Sequence, residues 1–135
     1  MLLPNPALAA DAEEPPLAAG GVMELAANIR GLLTAQMAYH AAFDKYVEAA
    51  PWPRPKELLT AEAVTWPKGS QFDTLGWSPD GKVLGSYSLV VAADGAVLVN
   101  GWVDADGDGV PAHLVGRISR DGQQSIQPMT GQNVF

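Results

Sequence analysis

The chain has 135 residues, 15 acidic against 8 basic for a formal charge of −7, with 47% hydrophobic and 17% charged residues. That length suffices for one domain with a real core, and the composition excludes wholesale disorder. The charge argues against a nucleic-acid partner, because phosphate binding needs clustered Lys and Arg and the sequence has no basic run.

Cysteine is absent, which excludes a disulfide framework, thiolate zinc sites and thiol nucleophiles. No window reaches the ~18 consecutive apolar residues of a membrane span.

Residues 1–21 carry Pro4, Pro6, Pro15, Pro16, Gly20 and Gly21 with few large apolar groups, so they read as a flexible leader that cannot repay its ordering entropy. Within it, Ala7-Leu8-Ala9 before Asp11 has the small-x-small form of a secretory cleavage region. Two readings stay open here, a signal-peptide remnant and an Ala/Pro-rich leader.

Over residues 22–47 the pattern changes. Leu25, Ile29, Leu32, Tyr39, Phe43 and Tyr46 recur at three- and four-residue steps, with Leu33 and Met37 widening the stripe. This predicts an amphipathic helix ~39 Å long. Its aromatics are expected to pack on a sheet. Pro51, Pro53, Pro55 and Pro67 then forbid long regular elements in a connector over 48–72, apart from a short helix near 57–63. Trp52 and Trp66 are expected to pin that connector to the core.

After Gly69 the period becomes two. Residues 83–92, 96–103, 112–120 and 123–128 read as strands within a sheet region of 82–128. They are separated by Asp80-Gly81, Asp94-Gly95, the Asp/Gly run at 104–109, and Asp121-Gly122. Asp-Gly pairs between β-prone runs signal hairpins, and short connections force antiparallel neighbours. The fold expected is α+β: one long N-terminal amphipathic helix packed on a three- to four-stranded antiparallel sheet. The domain is expected to span 22–135.

The wording of several segments resembles type IV pilins and type II secretion pseudopilins. Ala26-Ala27-Asn28-Ile29-Arg30-Gly31-Leu32-Leu33-Thr34-Ala35-Gln36-Met37-Ala38-Tyr39 is similar to the second half of the pilin helix. Asp73-Thr74-Leu75-Gly76-Trp77-Ser78-Pro79-Asp80-Gly81 resembles the stretch before the first head strand. Val103-Asp104-Ala105-Asp106-Gly107-Asp108-Gly109 resembles the acidic loop between head strands, and Gly131-Gln132-Asn133-Val134-Phe135 the aromatic chain end.

The resemblance covers 24–135 and implies a pilin-like fold. It also implies a non-enzymatic structural or interaction role, periplasmic or extracellular location, and protein partners that include other pilin-like subunits. Two features depart from the family. Gly20-Gly21-Val22-Met23-Glu24-Leu25 holds a Gly and a Glu, but no apolar half-helix separates it from the head, and the Cys pair of many pilin heads is missing. A free-standing periplasmic or secreted binding module of the same fold, recognising a protein or a glycan, therefore stands as the alternative.

Asp104, Asp106 and Asp108, with Gly107 and Gly109 between and after them, form the sharpest chemical feature. Alternate positions on a tight loop can aim three carboxylates at one centre, and hard oxygen ligands select Ca²⁺. The pattern opens like an EF-hand loop, but the position of the closing Glu is Val115, so further ligands must come from a backbone carbonyl, that of Val110, or from the neighbouring loop. A structural calcium of weak affinity, on the order of 10⁻⁴ to 10⁻³ M, is one expectation. The other is a solvated turn, for which Asp and Gly are ordinary residues. The resemblance adds that major pseudopilins carry a structural calcium in a comparable loop.

Only His40 and His113 are histidines, and no nucleophile elbow, zinc helix or phosphate-binding glycine loop occurs. Ser86 and Ser88 lie on a strand without an evident base. No catalytic or cofactor-binding residue is expected. Trp77 and Trp102 are read as core packing, with sugar stacking as the lesser reading.

Overall fold

The structure is a computed structural model that describes residues 17–104 and 107–128, with side chains from residue 21 onward. Helix α1 (Leu17–Phe43) is followed by strand β1 (Ala49–Trp52) and a 3₁₀ turn at Lys56–Leu58. Then come the single-turn helix α2 (Phe72–Leu75) and strands β2 (Ser86–Val91), β3 (Val97–Val103), β4 (Ala112–Ile118) and β5 (Gln124–Pro128). The strands form one antiparallel sheet in the order β1-β2-β3-β4-β5, and α1 lies across β3 and β4.

The sheet therefore has five strands, not three or four. The extra one, β1, lies inside the proline-rich connector. Pro51 is tolerated there because β1 is an edge strand whose register breaks between Ala49 and Trp52, and a strand edge or bulge is where a residue without an N–H fits. The rest of the connector holds the 3₁₀ turn and α2, which Gly76 closes in the left-handed region at φ 78°. Trp52 and Trp66 pack against the core as expected, and the Trp52 indole N–H donates to the Pro67 carbonyl at 2.9 Å.

The meander follows its Asp-Gly pairs. Gly95 and Gly122 take φ of 91° and 93°, a conformation in which an L side chain would be strained. The β2–β3 and β4–β5 hairpins close around them, at Ala92–Ala96 and Ser119–Gln123.

Helix α1 ends four residues earlier than its hydrophobic period suggests. Asp44 adopts φ 61°, a region Asp enters more readily than most side chains, and its N–H bonds the His40 carbonyl at 2.7 Å. The stripe is narrower too. Leu25, Ile29, Leu32 and Leu33 are fully buried, each worth about 1.5–3 kcal/mol, whereas Met37 and Phe43 are 38% and 60% exposed. Toward the C-terminal end Tyr39 and Tyr46 still pack against the core at partial burial, Tyr39 also on Phe43, and His40 stacks on Tyr46.

Gln36, a polar interruption by sequence, is completely buried. Its side chain donates to the Val47 carbonyl at 2.7 Å and accepts the Val47 N–H at 2.9 Å. One amide thus satisfies both backbone groups of a buried residue just after the helix, where an orphaned group would be costly.

Two contacts draw the helix onto the sheet. Gly101 and Gly116 face α1 where a side chain would collide. A methyl on Gly116 would overlap Cγ2 of Ile29 and stand 3.1 Å from Leu33 Cδ1, and one on Gly101 would stand 3.0 Å from Leu25 Cδ2. Glu24 supplies the second contact. Its carboxylate accepts the N–H groups of Leu84 at 2.8 Å and Gly85 at 2.9 Å, and the Tyr87 hydroxyl at 2.7 Å. Asn28 in turn donates to that hydroxyl at 3.1 Å.

Burial first, and then the facing Glu24 carboxylate, push the Tyr87 hydroxyl far above the usual phenol range. Above pH ~10 the unfolded chain loses this proton while the folded chain keeps it, so stability falls by about 1.4 kcal/mol per pH unit. Urea melts between pH 9 and 11 should show that slope in the wild type and a shallower one, by that amount, in Tyr87→Phe. Equal slopes would mean the hydroxyl ionises within the fold.

Candidate functional site

Because β3 and β4 alternate, Val97, Val99, Gly101 and Val103 face the helix, while Leu98, Asn100 and Trp102 face the other way. Register sets Trp102 directly opposite His113 and Asn100 opposite Val115. The outer sheet face thus gathers polar and aromatic groups that are distant in sequence.

His113 stacks on Trp102, centroids 4.8 Å apart, and its Nε2 lies 3.0 Å from Asn100 Oδ1. The Asn100 amide nitrogen donates to Ser88 Oγ at 3.2 Å. Lys56, from the 3₁₀ turn, sits 5.6 Å from the Trp102 ring centre, within cation–π range.

Desolvation and, secondarily, Lys56 hold the His113 imidazole below its usual titration range. A neutral imidazole facing an amide oxygen must donate from Nε2. The Asn100 amide stands between His113 and Ser88, so the imidazole is not positioned to take the Ser88 proton. Ser86 is engaged elsewhere, donating to the Arg54 carbonyl. His40 lies on the helix, 3.9 Å from Asp44, and stacks on Tyr46, not on His113.

Beside this row, Leu98, Asn100, His113, Val115, Arg117 and Gln127 line a trough of about 350 Å³. Arg117 forms an ion pair with Asp94 at 3.3 Å at its end. Strand β5 borders the trough and is the other edge of the sheet. The two tryptophans singled out by sequence do not meet. Trp102 is on this outer face between His113 and Lys56. Trp77 packs against Trp66 and Phe72 on the helix side.

The acidic loop follows β3. Asp104 is 4% exposed, and its carboxylate accepts the N–H groups of Asp108 at 3.2 Å and Gly109 at 2.8 Å. Asp108 Oδ1 accepts the Val110 N–H at 2.8 Å. Gly107 and Gly109 take φ of 71° and 84°, which wraps the backbone around the Asp104 side chain. A carboxylate offers about four lone-pair sites, so these amide contacts leave room on it for a hard cation.

Asp106, the middle ligand expected from sequence, lies outside the described residues, as does the aromatic chain end. Among the described residues no three acidic or histidine side chains converge as a metal cluster. Glu57 on the 3₁₀ turn and Asp104 line one hollow of about 200 Å³, a proximity without any sequence signal, since they lie in separate segments. Asn100 and Lys56 were likewise not legible, because Asn100 meets His113 only through the β3–β4 register and Lys56 comes from the separate 3₁₀ turn.

These features define an α+β domain in which one helix covers one face of an antiparallel meander. No helix among the described residues is long and apolar enough to cross a membrane. No protein-family model matches this chain, and neither a curated protein nor a solved structure does.

Proposed function

We propose that the chain is a non-enzymatic, pilin-like structural or interaction domain, working in the periplasm or outside the cell. It docks protein partners, other pilin-like subunits among them, through the outer sheet face. The observation that carries this reading is the division of the sheet. One face is closed by α1 at Gly101 and Gly116, and the other carries the Asn100–His113–Trp102 row and the trough beside it.

Amphipathic aromatic and amide groups around a shallow apolar floor suit a protein contact. To test the reading, surface filaments are sheared from cells making the tagged chain. The chain is expected in the filament fraction, and recovery only as free protein would sink the filament role.

The alternative is a free-standing binding module of the same fold, favoured by the trough, which is concave enough to hold a single side chain or sugar. Turnover that depends on His40 or His113 would overturn both readings.

The acidic loop is proposed as a weak structural Ca²⁺ site, held by Asp104, Asp106, Asp108 and the Val110 carbonyl. For a dissociation constant of 10⁻⁴ to 10⁻³ M, 10 mM Ca²⁺ should stabilise chelator-treated protein by about 1.5–3 kcal/mol. That corresponds to a rise in melting temperature of roughly 5 °C or more. Asp106→Ala should lose most of the rise. An equal rise in the variant would place the ion elsewhere, and no rise in the wild type would leave the loop a turn.

A further inference from the structure

A hollow of about 620 Å³ lies away from the outer sheet face, between the segment around Trp66 and the loop after α2. Its size falls within the ~300–1,000 Å³ of small-molecule sites. Trp66 and Trp77 form its aromatic wall, and Lys68, Lys82, Thr65 and Ser78 supply its polar groups. The indoles meet edge to face at 5.5 Å and 86°, so each holds the other's orientation. Trp77 is further fixed by Gly31 on α1, where an added methyl would stand 2.8 Å from its ring nitrogen.

We infer that this hollow binds a saccharide ring carrying one carboxylate. Each part of the ligand has a counterpart. A pyranose presents a flat C–H face that an indole can cover, while the Thr65 and Ser78 hydroxyls suit ring hydroxyls. Lys68 and Lys82 make no ion pair among the described residues, so two ammonium groups line one hollow in a chain of net charge −7.

Asp73 also lines the hollow, and its carboxylate is turned to the Gly69 N–H at 2.7 Å. Two lysines and one aspartate leave the lining at a net charge of +1 (2 − 1). That charge matches one carboxylate better than a phosphate, whose second charge Asp73 would oppose. The inference uses a different surface from the proposed protein contact and does not depend on it.

The test follows the Trp66 and Trp77 indole N–H signals by NMR during titration with methyl β-D-glucuronide, its neutral glucoside, or AMP. The glucuronide is expected to shift both signals with a dissociation constant of about 1 mM or tighter. The glucoside should bind at least about fivefold more weakly, for want of the charge-assisted contact. Lys68→Gln and Lys82→Gln, at exposed positions, should each reduce that preference, and together abolish it. No shift of either indole signal up to about 20 mM glucuronide would overturn the assignment. So would equal binding of the two sugars by the wild type, or tighter binding of AMP.

Discussion

Gly116→Ala is expected to destabilise the fold by about 2–3 kcal/mol, the upper end for overpacking a close-fitting core. In an open strand the same change would be neutral or favourable, because glycine loses more backbone entropy than alanine. Here the added methyl overlaps Cγ2 of Ile29 and reaches both Cδ1 and Cγ of Leu33. Ile29 cannot easily yield, since a β-branched side chain in a helix has essentially one χ1 rotamer. Helix α1 must therefore lift from β4, loosening Leu25, Ile29, Leu32 and Leu33 together.

A double-mutant cycle isolates the cause. Ile29→Ala is costly alone, as any large-to-small change in a packed core is. In that background Gly116→Ala should cost almost nothing, giving a coupling of about 1.5–3 kcal/mol in urea denaturation. Additive costs would show that the glycine is needed for its backbone and not for the approach of the helix.

The second large effect belongs to Glu24. Glu24→Ala removes the acceptor of two backbone N–H groups and of the buried Tyr87 hydroxyl. Hydrogen bonds to a charged group contribute about 1.5–3 kcal/mol each, and an orphaned buried donor costs about 1–3 kcal/mol. Because Glu24 is half-buried and water can reach part of the site, the expected total is about 3–4 kcal/mol rather than the full sum.

Glu24→Gln keeps one carbonyl oxygen but turns an NH₂ toward donors, so about 2 kcal/mol is expected. Adding Tyr87→Phe to Glu24→Ala should recover part of the loss by removing one orphaned donor. A loss below about 1 kcal/mol for Glu24→Ala would mean that solvent satisfies the Leu84 and Gly85 amides.

These sites differ in how far they could be read from sequence. The seam of α1 was legible as a 3.6-residue period at Leu25, Ile29, Leu32 and Leu33, all buried. The β2–β3 and β4–β5 hairpins were legible because Asp94-Gly95 and Asp121-Gly122 demand positive φ. Strand β1 was not, since Pro51 argues against a strand and its partner β2 lies far along the chain. Gly101 and Gly116 read as ordinary strand residues, because nothing local reveals which glycine lies beneath a helix.

Gln36 and Glu24 look like solvated helix positions, and their burial and bonding depend on segments 11 and 60 residues away. Periodicity also overstated the stripe at Met37 and Phe43, which stay exposed, because spacing marks an apolar face without showing what covers it. At the acidic loop, composition singled out Asp104 and Asp108 as candidate ligands. It did not show that the Asp104 carboxylate also holds the Asp108 and Gly109 amides.

The proposed role rests on the outer sheet face as the contact surface, with α1 as the lid of the inner one. Val115→Arg tests this most directly, because Val115 lines the trough on the face away from the helix. The account predicts a variant with an unchanged melting temperature that disappears from the sheared filament fraction, while the wild type is retained there. Val115→Arg protein that folds and enters filaments at the wild-type level would contradict it.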